Sequence, residues 1–168
     1  MNSSSQKLQE LESELNIDIQ KALKKYQVLI LPSTAANHPS IAGSVDELKL
    51  VDNDDSIYLS KLFKSEGVAC ANSYDLSLDA QVLHLRGESL QLSHIIITVI
   101  ILPIFVNIVS SFITDKLKDN NPEKSNVTSK ITIMDNKVVV NEIDYSGTIK
   151  DYLQLLENLK KNEKGKHK

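Results

Sequence analysis

Two apolar runs in the first third of the chain, Val28–Leu31 and 48–51, are each followed by a polar segment. In open parallel sheets, ligands bind beyond the carboxyl ends of the strands. If these runs are neighbouring strands, side chains from the polar segments 32–40 and 52–55 converge at one edge of the sheet. The candidate binding residues in these segments are Ser33, His38, Asp52, Asp54 and Asp55.

Carboxylates beside a histidine suit a hard or borderline metal ion, or acid–base catalysis. A structural role competes with this interpretation, because an aspartate after a strand commonly caps the next helix, and Asp54 or Asp55 precedes Ile57 in that way. The chain has no glycine-rich phosphate loop, no G-x-S-x-G motif and no H-E-x-x-H motif. We therefore predict no catalytic residue, no metal and no cofactor. A ligand-binding or metal-dependent enzyme domain using these two loops stays as an alternative.

The charge balance of the chain argues against a polyanionic partner. The net charge is −3, and Arg86 is the one arginine among 19 basic residues. Arginine is the usual reader of phosphates and base edges, so we expect no nucleic-acid partner. The last residues, 161–168, form a lysine-rich segment that we predict to be a disordered basic tail.

The single cysteine and the N-terminal segment both indicate a reducing compartment. Cys70 has no second cysteine to pair with and lies among small apolar residues, so we predict a buried packing residue. Residues 1–25 are polar and carry both charges, which is not the pattern of a secretory signal. These features predict a cytoplasmic protein.

The first half of the chain has alternating helix and strand signals. Apolar residues recur at steps of three and four over residues 4–25, which predicts an amphipathic helix, with a break at residues 16–18. The runs Val28–Leu31, 48–51, 68–71 and 81–86 are predicted strands. The second and third of these flank a short helix, and this βαβ order predicts that they pair in parallel.

The end of the chain predicts a β-hairpin and a helix. Two β-rich runs, 130–134 and 137–141, flank Asp135 and Asn136, which tolerate positive φ in a turn. Thr148 and Asp151 have the spacing of a capping box at the start of a helix. The helix has an apolar face of Ile149, Tyr152, Leu153, Leu156 and Leu159.

The longest apolar stretch begins at Ile95 and ends at Ile113, and it contains no charged residue. Its length is enough for a membrane-spanning helix, for which we take residues 94–114. The consecutive β-branched residues 95–101 instead predict a buried strand, and Pro103 can begin a helix after it. Our preferred interpretation is this strand followed by a helix with Ile104, Phe105, Ile108 and Phe112 on its buried side.

Together these patterns predict an α/β protein with a small, mostly parallel or mixed sheet, covering helices and a C-terminal β-hairpin and helix. The predicted organisation is an α/β domain over 1–119, a linker over 120–129, a hairpin-plus-helix appendage over 130–160, and the tail. The alternative fold is an α/β domain with one transmembrane helix at 94–114.

We predict a non-catalytic, soluble module that binds a protein partner. This prediction depends on the absence of catalytic motifs, on the free amphipathic N-terminal helix and on the C-terminal appendage. Such a module would serve as a small subunit of a larger intracellular assembly. The alternative function is that of a single-pass membrane protein anchored or oligomerised through residues 94–114.

Overall fold

The structure, a computed structural model, describes residues 3–34, 50–83, 90–116 and 125–166. The helices are α1 Ser3–Leu15, α2 Ile19–Lys25, α3 Asp54–Ser65, α4 Leu102–Lys116 and α5 Ile149–Lys166. The strands are β1 Val28–Leu31, β2 Ser33–Thr34, β3 Leu50–Asn53, β4 Cys70–Ala71, β5 Ala80–Leu83, β6 Leu90–Thr98, β7 Asn126–Asp135 and β8 Val138–Thr148.

The strands form two sheets. The larger has five strands in the order β4-β1-β6-β7-β8, and the smaller has three in the order β2-β3-β5. In the larger sheet β1 is parallel to β4 and antiparallel to β6, while β6 is parallel to β7 and β7 antiparallel to β8. The predicted α/β class with a mixed sheet and covering helices is confirmed.

Helices cover both faces of the five-stranded sheet, and β1 shows why. Its four residues are all buried, and successive side chains of a strand point to opposite faces. Val28 and Ile30 pack in the core formed with α3, α4 and α5. Leu29 and Leu31 pack in a second, smaller core formed with α1 and α2. The predicted strand buried on both faces is confirmed.

The N-terminal helix is divided in two at the predicted break. Asn16 has a φ of 56°, a left-handed conformation that ends α1. The side chain of Asp18 then caps α2, since its Oδ1 accepts a hydrogen bond of 3.0 Å from the backbone N–H of Lys21. The predicted apolar stripe packs on the sheet through Leu15 and Ile19, which are buried.

The predicted parallel pairing of β3 with β4 is wrong. These two strands lie in different sheets, because β4 pairs with β1 and β3 pairs with β5. β4 consists of Cys70 and Ala71, both buried, so it requires a place in the sheet that is covered on both faces. The spacing along the chain predicted two strands on either side of a helix, but β3 continues to Asn53, past its predicted end at residue 51, and α3 follows without the predicted loop. The spacing carried no information about which strand each would join.

The apolar stretch forms a strand followed by a helix, as our preferred interpretation predicted. β6 runs to Thr98, one 3₁₀ turn covers Val99–Ile101, and α4 follows with Pro103 in its first turn. Because residues 94–98 are paired with β1 and β7, residues 94–114 are not one continuous helix.

The buried face of α4 differs in part from the prediction. Phe105 and Phe112 are buried, but Ile104 is 49% exposed and was wrongly placed on the buried side. Val106 and Val109 take its place in the core. Within the described residues, the segment Val99–Lys116 is long and apolar enough to cross a membrane by length and composition, a test that core helices of soluble proteins also pass.

The C-terminal hairpin forms, with its turn one residue later than predicted. Asp135 pairs with Val138, so the turn residues are Asn136, with a φ of 55°, and Lys137. At the start of α5, Thr148 Oγ1 accepts a 3.3 Å hydrogen bond from the backbone N–H of Asp151, as the capping motif predicted.

The hairpin and α5 share the core of the rest of the chain. Residues 126–129, which the sequence placed in a linker, are the first four residues of β7. β7 pairs with β6 from Val127 to Met134, so the hairpin extends the central sheet. Tyr152 of α5 is fully buried in the same core as Phe105 of α4.

Candidate functional site

The predicted site residues have different surroundings in the structure. The predicted neighbouring strands β1 and β3 lie in different sheets, so the expected shared sheet edge does not form. Ser33 instead lies in β2, opposite Val51 of β3 in an antiparallel pair. His38 lies outside the described residues. Asp52 is buried in β3, with 6% of its surface exposed. Asp54 and Asp55 form the first turn of α3.

The three carboxylates contact different partners. Burial raises the pKa of Asp52, and the hydroxyl of Ser73 beside it partly opposes this rise. Asp55 Oδ1 lies 3.2 Å from Lys116 Nζ on α4. Asp54 Oδ1 accepts a 3.0 Å hydrogen bond from the backbone N–H of Asp55. Among the residues that the structure describes, no three His, Cys, Asp or Glu side chains are grouped to hold a metal ion.

The structural interpretation, in which Asp54 or Asp55 caps α3, is also wrong. The N-cap residue is Asn53, which makes no side-chain capping hydrogen bond. Instead its Nδ2 donates a 3.0 Å hydrogen bond to the backbone carbonyl of Gln91 on β6. Asp54 and Asp55 follow in the first turn, where negative charge is favourable at the positive end of the helix dipole.

A cavity of about 370 Å³ lies between α1 and the sheet, at the carboxyl ends of β1 and β3. Of the predicted site residues, Ser33 lines this cavity and the three aspartates do not. Its lining is both apolar and polar, and includes Leu11, Glu14, Asn53, Ser93, His94 and Lys130. A second cavity of about 340 Å³ continues under α1 towards β8, with His94 and Lys130 in both linings.

A β-bulge in β6 shapes the first cavity. Gln91 pairs with Thr128 and His94 pairs with Lys130, so two residues of β6 oppose one residue of β7. Ser93, in this bulge, is held by Ser56 of α3, whose Oγ accepts a 3.1 Å hydrogen bond from the Ser93 N–H. The bulge was not predicted from the sequence, because a bulge leaves no mark in the hydrophobic pattern.

His94 is neutral in this environment. Its Nε2 lies 2.8 Å from Thr132 Oγ1. Burial first and the charge of Lys130 second lower the pKa of His94, Asp144 acts in the opposite direction, and the resulting pKa is about 4. An imidazole with this pKa carries no charge near neutral pH, so it contributes hydrogen bonding rather than acid catalysis there.

Cys70 is a packing residue, as predicted. It is 2% exposed, in the core between β1 and α3. Burial raises the pKa of its thiol to about 12. Since the thiolate is the nucleophile of cysteine chemistry, this thiol is unsuited to nucleophilic catalysis.

The outer edge of β8 is the second candidate site. β8 is a terminal strand of the large sheet and has 11 residues, whereas β4 at the other edge has two. Val138 and Val140 on β8 are 61% and 47% exposed. The register shift in the pairing with β7 places Val140 at a bulge.

Comparisons with protein-family models, with curated protein sequences and with solved structures found no significant match to this chain.

Proposed function

We propose that this chain is a non-catalytic protein-binding module that adds an extended segment of its partner to the free edge of β8. The observation that carries the proposal is the length and composition of that edge. Over the 11 residues of β8 there is no lysine and no proline. Among the described residues, no strand pairs with its outer side.

An unpaired strand edge presents a row of backbone N–H and C=O groups that another strand can complete. Natural sheets protect such edges with short strands, charged side chains (lysine above all), proline or bulges. β4 is protected by its length of two residues, whereas β8 has one bulge, at Val140, and two exposed acidic residues, Glu142 and Asp144. At roughly 3.4 Å per residue, β8 provides an edge of about 35 Å. Addition of a strand to an exposed edge is a common mode of peptide recognition.

The proposal places the chain in the cytoplasm, as a small subunit of a larger assembly. A reducing compartment is consistent with the free, buried Cys70. A non-catalytic role is consistent with the separate partners of Asp54 and Asp55 and with a neutral His94. A protein, rather than a nucleic acid, is the partner that the net charge of −3 favours.

Peptide selection on the purified protein tests this proposal. A displayed library of ten-residue peptides is selected on the wild type, and dissociation constants are measured for the selected peptides. We expect V140K, on the edge, to weaken binding about tenfold or more, because a lysine on an edge strand opposes pairing. I104K is the matched control, because Ile104 on α4 is 49% exposed and Val140 is 47% exposed.

Methylation of the peptide backbone tests the binding mode independently of side-chain charge. Alternate N–H groups of an added peptide point towards β8, and the others point away from it. N-methyl groups on the set that points towards β8 remove the donors that strand addition uses, so we expect that methylated peptide to lose binding. Selected peptides that bind V140K normally, or that tolerate N-methylation at both sets of alternate positions, would contradict strand addition at β8.

A second candidate function, attachment to a membrane, is favoured by one observation. The apolar segment Val99–Lys116 leaves Ile100 and Ile104 exposed by 79% and 49%. Fractionation of the expressed chain, with a carbonate wash and then detergent, distinguishes the two functions. A soluble module stays in the supernatant after the wash, whereas a membrane-inserted chain stays in the pellet until detergent is added.

A further inference from the structure

We infer that the segment added to β8 alternates basic and apolar residues, an inference that rests on the proposed strand addition at this edge. It follows from the side chains that β8 presents on the two faces of the sheet. Residues two apart on a strand share a face, and an added strand continues both faces.

One face of β8 is acidic. Glu142 and Asp144 are two residues apart, and both are exposed. On the paired side of β8, Glu142 lies opposite Thr132 of β7 and Asp144 lies opposite Lys130. The positive charge of Lys130 is therefore on the side of Asp144 that faces the sheet, not on the free edge. The cavity beside them under α1 is lined by four carboxylates and two ammonium groups, from Glu10, Glu14, Glu142, Asp144, Lys7 and Lys130. The excess of carboxylates makes this face attractive to basic side chains.

On the opposite face of β8, Ile143 and Tyr145 form an apolar patch that follows the polar, exposed Asn141. Ile143 and Tyr145 are half-buried and pack against the core under α5. The ring of Tyr145 lies 5.2 Å, between centroids, from that of Tyr152 on α5. Its hydroxyl donates a 2.7 Å hydrogen bond to the carbonyl of Thr148, so the ring is held in place. An apolar side chain beside these residues would extend the existing core layer.

Beside residues 142–145 of β8, an added strand therefore lies next to carboxylates on one face of the sheet and next to apolar side chains on the other, at alternate positions. Opposite charges directly across a pair of strands stabilise the pairing, and like charges oppose it. A second copy of this chain is disfavoured as the occupant. Two-fold pairing of β8 with another β8 would bring two more carboxylates to the face that already has Glu142 and Asp144.

Three synthetic octapeptides test the inference. They share the same alternating valine and tyrosine residues, and the remaining positions are lysine in one peptide, glutamate in the second and serine in the third. Dissociation constants are measured by fluorescence anisotropy at low and high salt. We expect the lysine peptide to bind at least about tenfold more tightly than the glutamate peptide at low salt, with a smaller ratio at high salt.

Charge removal on the protein locates the effect. E142Q/D144N should bind the lysine and glutamate peptides with similar affinity, which abolishes the wild-type preference. E66Q/D79N is the matched control, because it changes net charge equally at two exposed acidic residues outside β8. We expect this control to keep the wild-type preference.

The outcomes separate the inference from the proposed function. If the serine peptide binds as tightly as the lysine peptide, the charge inference is wrong, while strand addition at β8 stands. If no octapeptide binds, both are contradicted. Self-association of the wild type that is lost in V140K, measured by sedimentation, would show a second copy at the edge and would also overturn the inference.

Discussion

The hydroxyl oxygens of Ser56 and Ser93 lie 2.8 Å apart in the buried space between α3 and β6. Ser56 Oγ also accepts the hydrogen bond of the Ser93 N–H. Ser93 belongs to the bulge of β6, where the regular ladder with β7 is interrupted. α3 thus supplies a hydrogen-bond acceptor that the sheet does not, and it holds the irregular segment that lines the cavity under α1.

Removing this acceptor is expected to destabilise the protein. S56A leaves the buried N–H of Ser93 without its acceptor, so we expect the free energy of unfolding to fall by about 1–3 kcal/mol. Urea unfolding followed by circular dichroism measures the change. S65A on the same helix is the control, because the Ser65 hydroxyl is exposed and bonds only within α3, to the Leu62 carbonyl. Equal losses in the two variants would mean that Ser56 does not support the bulge.

Two adjacent residues of α4 test whether this helix packs in a protein core. F105A removes a fully buried side chain that stacks on Phe63 with ring centroids 5.8 Å apart, so we expect a loss of about 3–5 kcal/mol. I104A truncates the half-exposed neighbour, and we expect a loss below about 1 kcal/mol. Chemical denaturation of both variants measures the difference. Similar effects at the two positions would contradict the burial of α4 on the sheet.

The lowered pKa of His94 predicts a specific pH dependence of stability. In the folded chain the pKa of His94 is about 4, below the usual histidine value of 6.5, so the unfolded state binds more protons between these values. The free energy of unfolding therefore falls as the pH decreases through 6.5 towards 4, and His94 adds no further loss below that range.

The variant H94Q isolates this contribution, because glutamine cannot titrate but keeps a side chain able to hydrogen-bond Thr132. We expect the stability of the wild type relative to H94Q to decline by roughly 1–3 kcal/mol between pH 7 and pH 4. Unfolding curves at a series of pH values give this difference. A constant difference across the range would show that His94 has an ordinary pKa.

The thiol of Cys70 is expected to react only when the chain unfolds. It is 2% exposed and its pKa is raised to about 12, so both access and thiolate formation are suppressed. We expect modification by a disulfide reagent at pH 8 to be at least about a hundredfold slower in the native protein than in guanidinium chloride. Absorbance of the released thiolate follows the reaction. A native rate close to the unfolded rate would place Cys70 at the surface.

Several elements of this fold could be predicted from the sequence, because their causes are local. A short apolar run predicted β1, and Pro103 predicted where α4 begins. Consecutive β-branched residues predicted the last part of β6, although the predicted strand ended at residue 101 and Val99–Ile101 form a 3₁₀ turn. Spacing of threonine and aspartate predicted the start of α5. Each pattern reports backbone preferences and the period of burial within a few residues.

Strand partners, the bulge and the candidate sites were decided only by the tertiary structure. β4 pairs with β1 rather than with β3. The carboxylate of Asp54 accepts a backbone hydrogen bond, whereas that of Asp55 contacts Lys116. The contact of His94 with Thr132 joins residues 38 positions apart. Such contacts depend on which arrangement of the whole chain buries the most apolar surface and pairs the most polar groups, a condition that no local pattern contains.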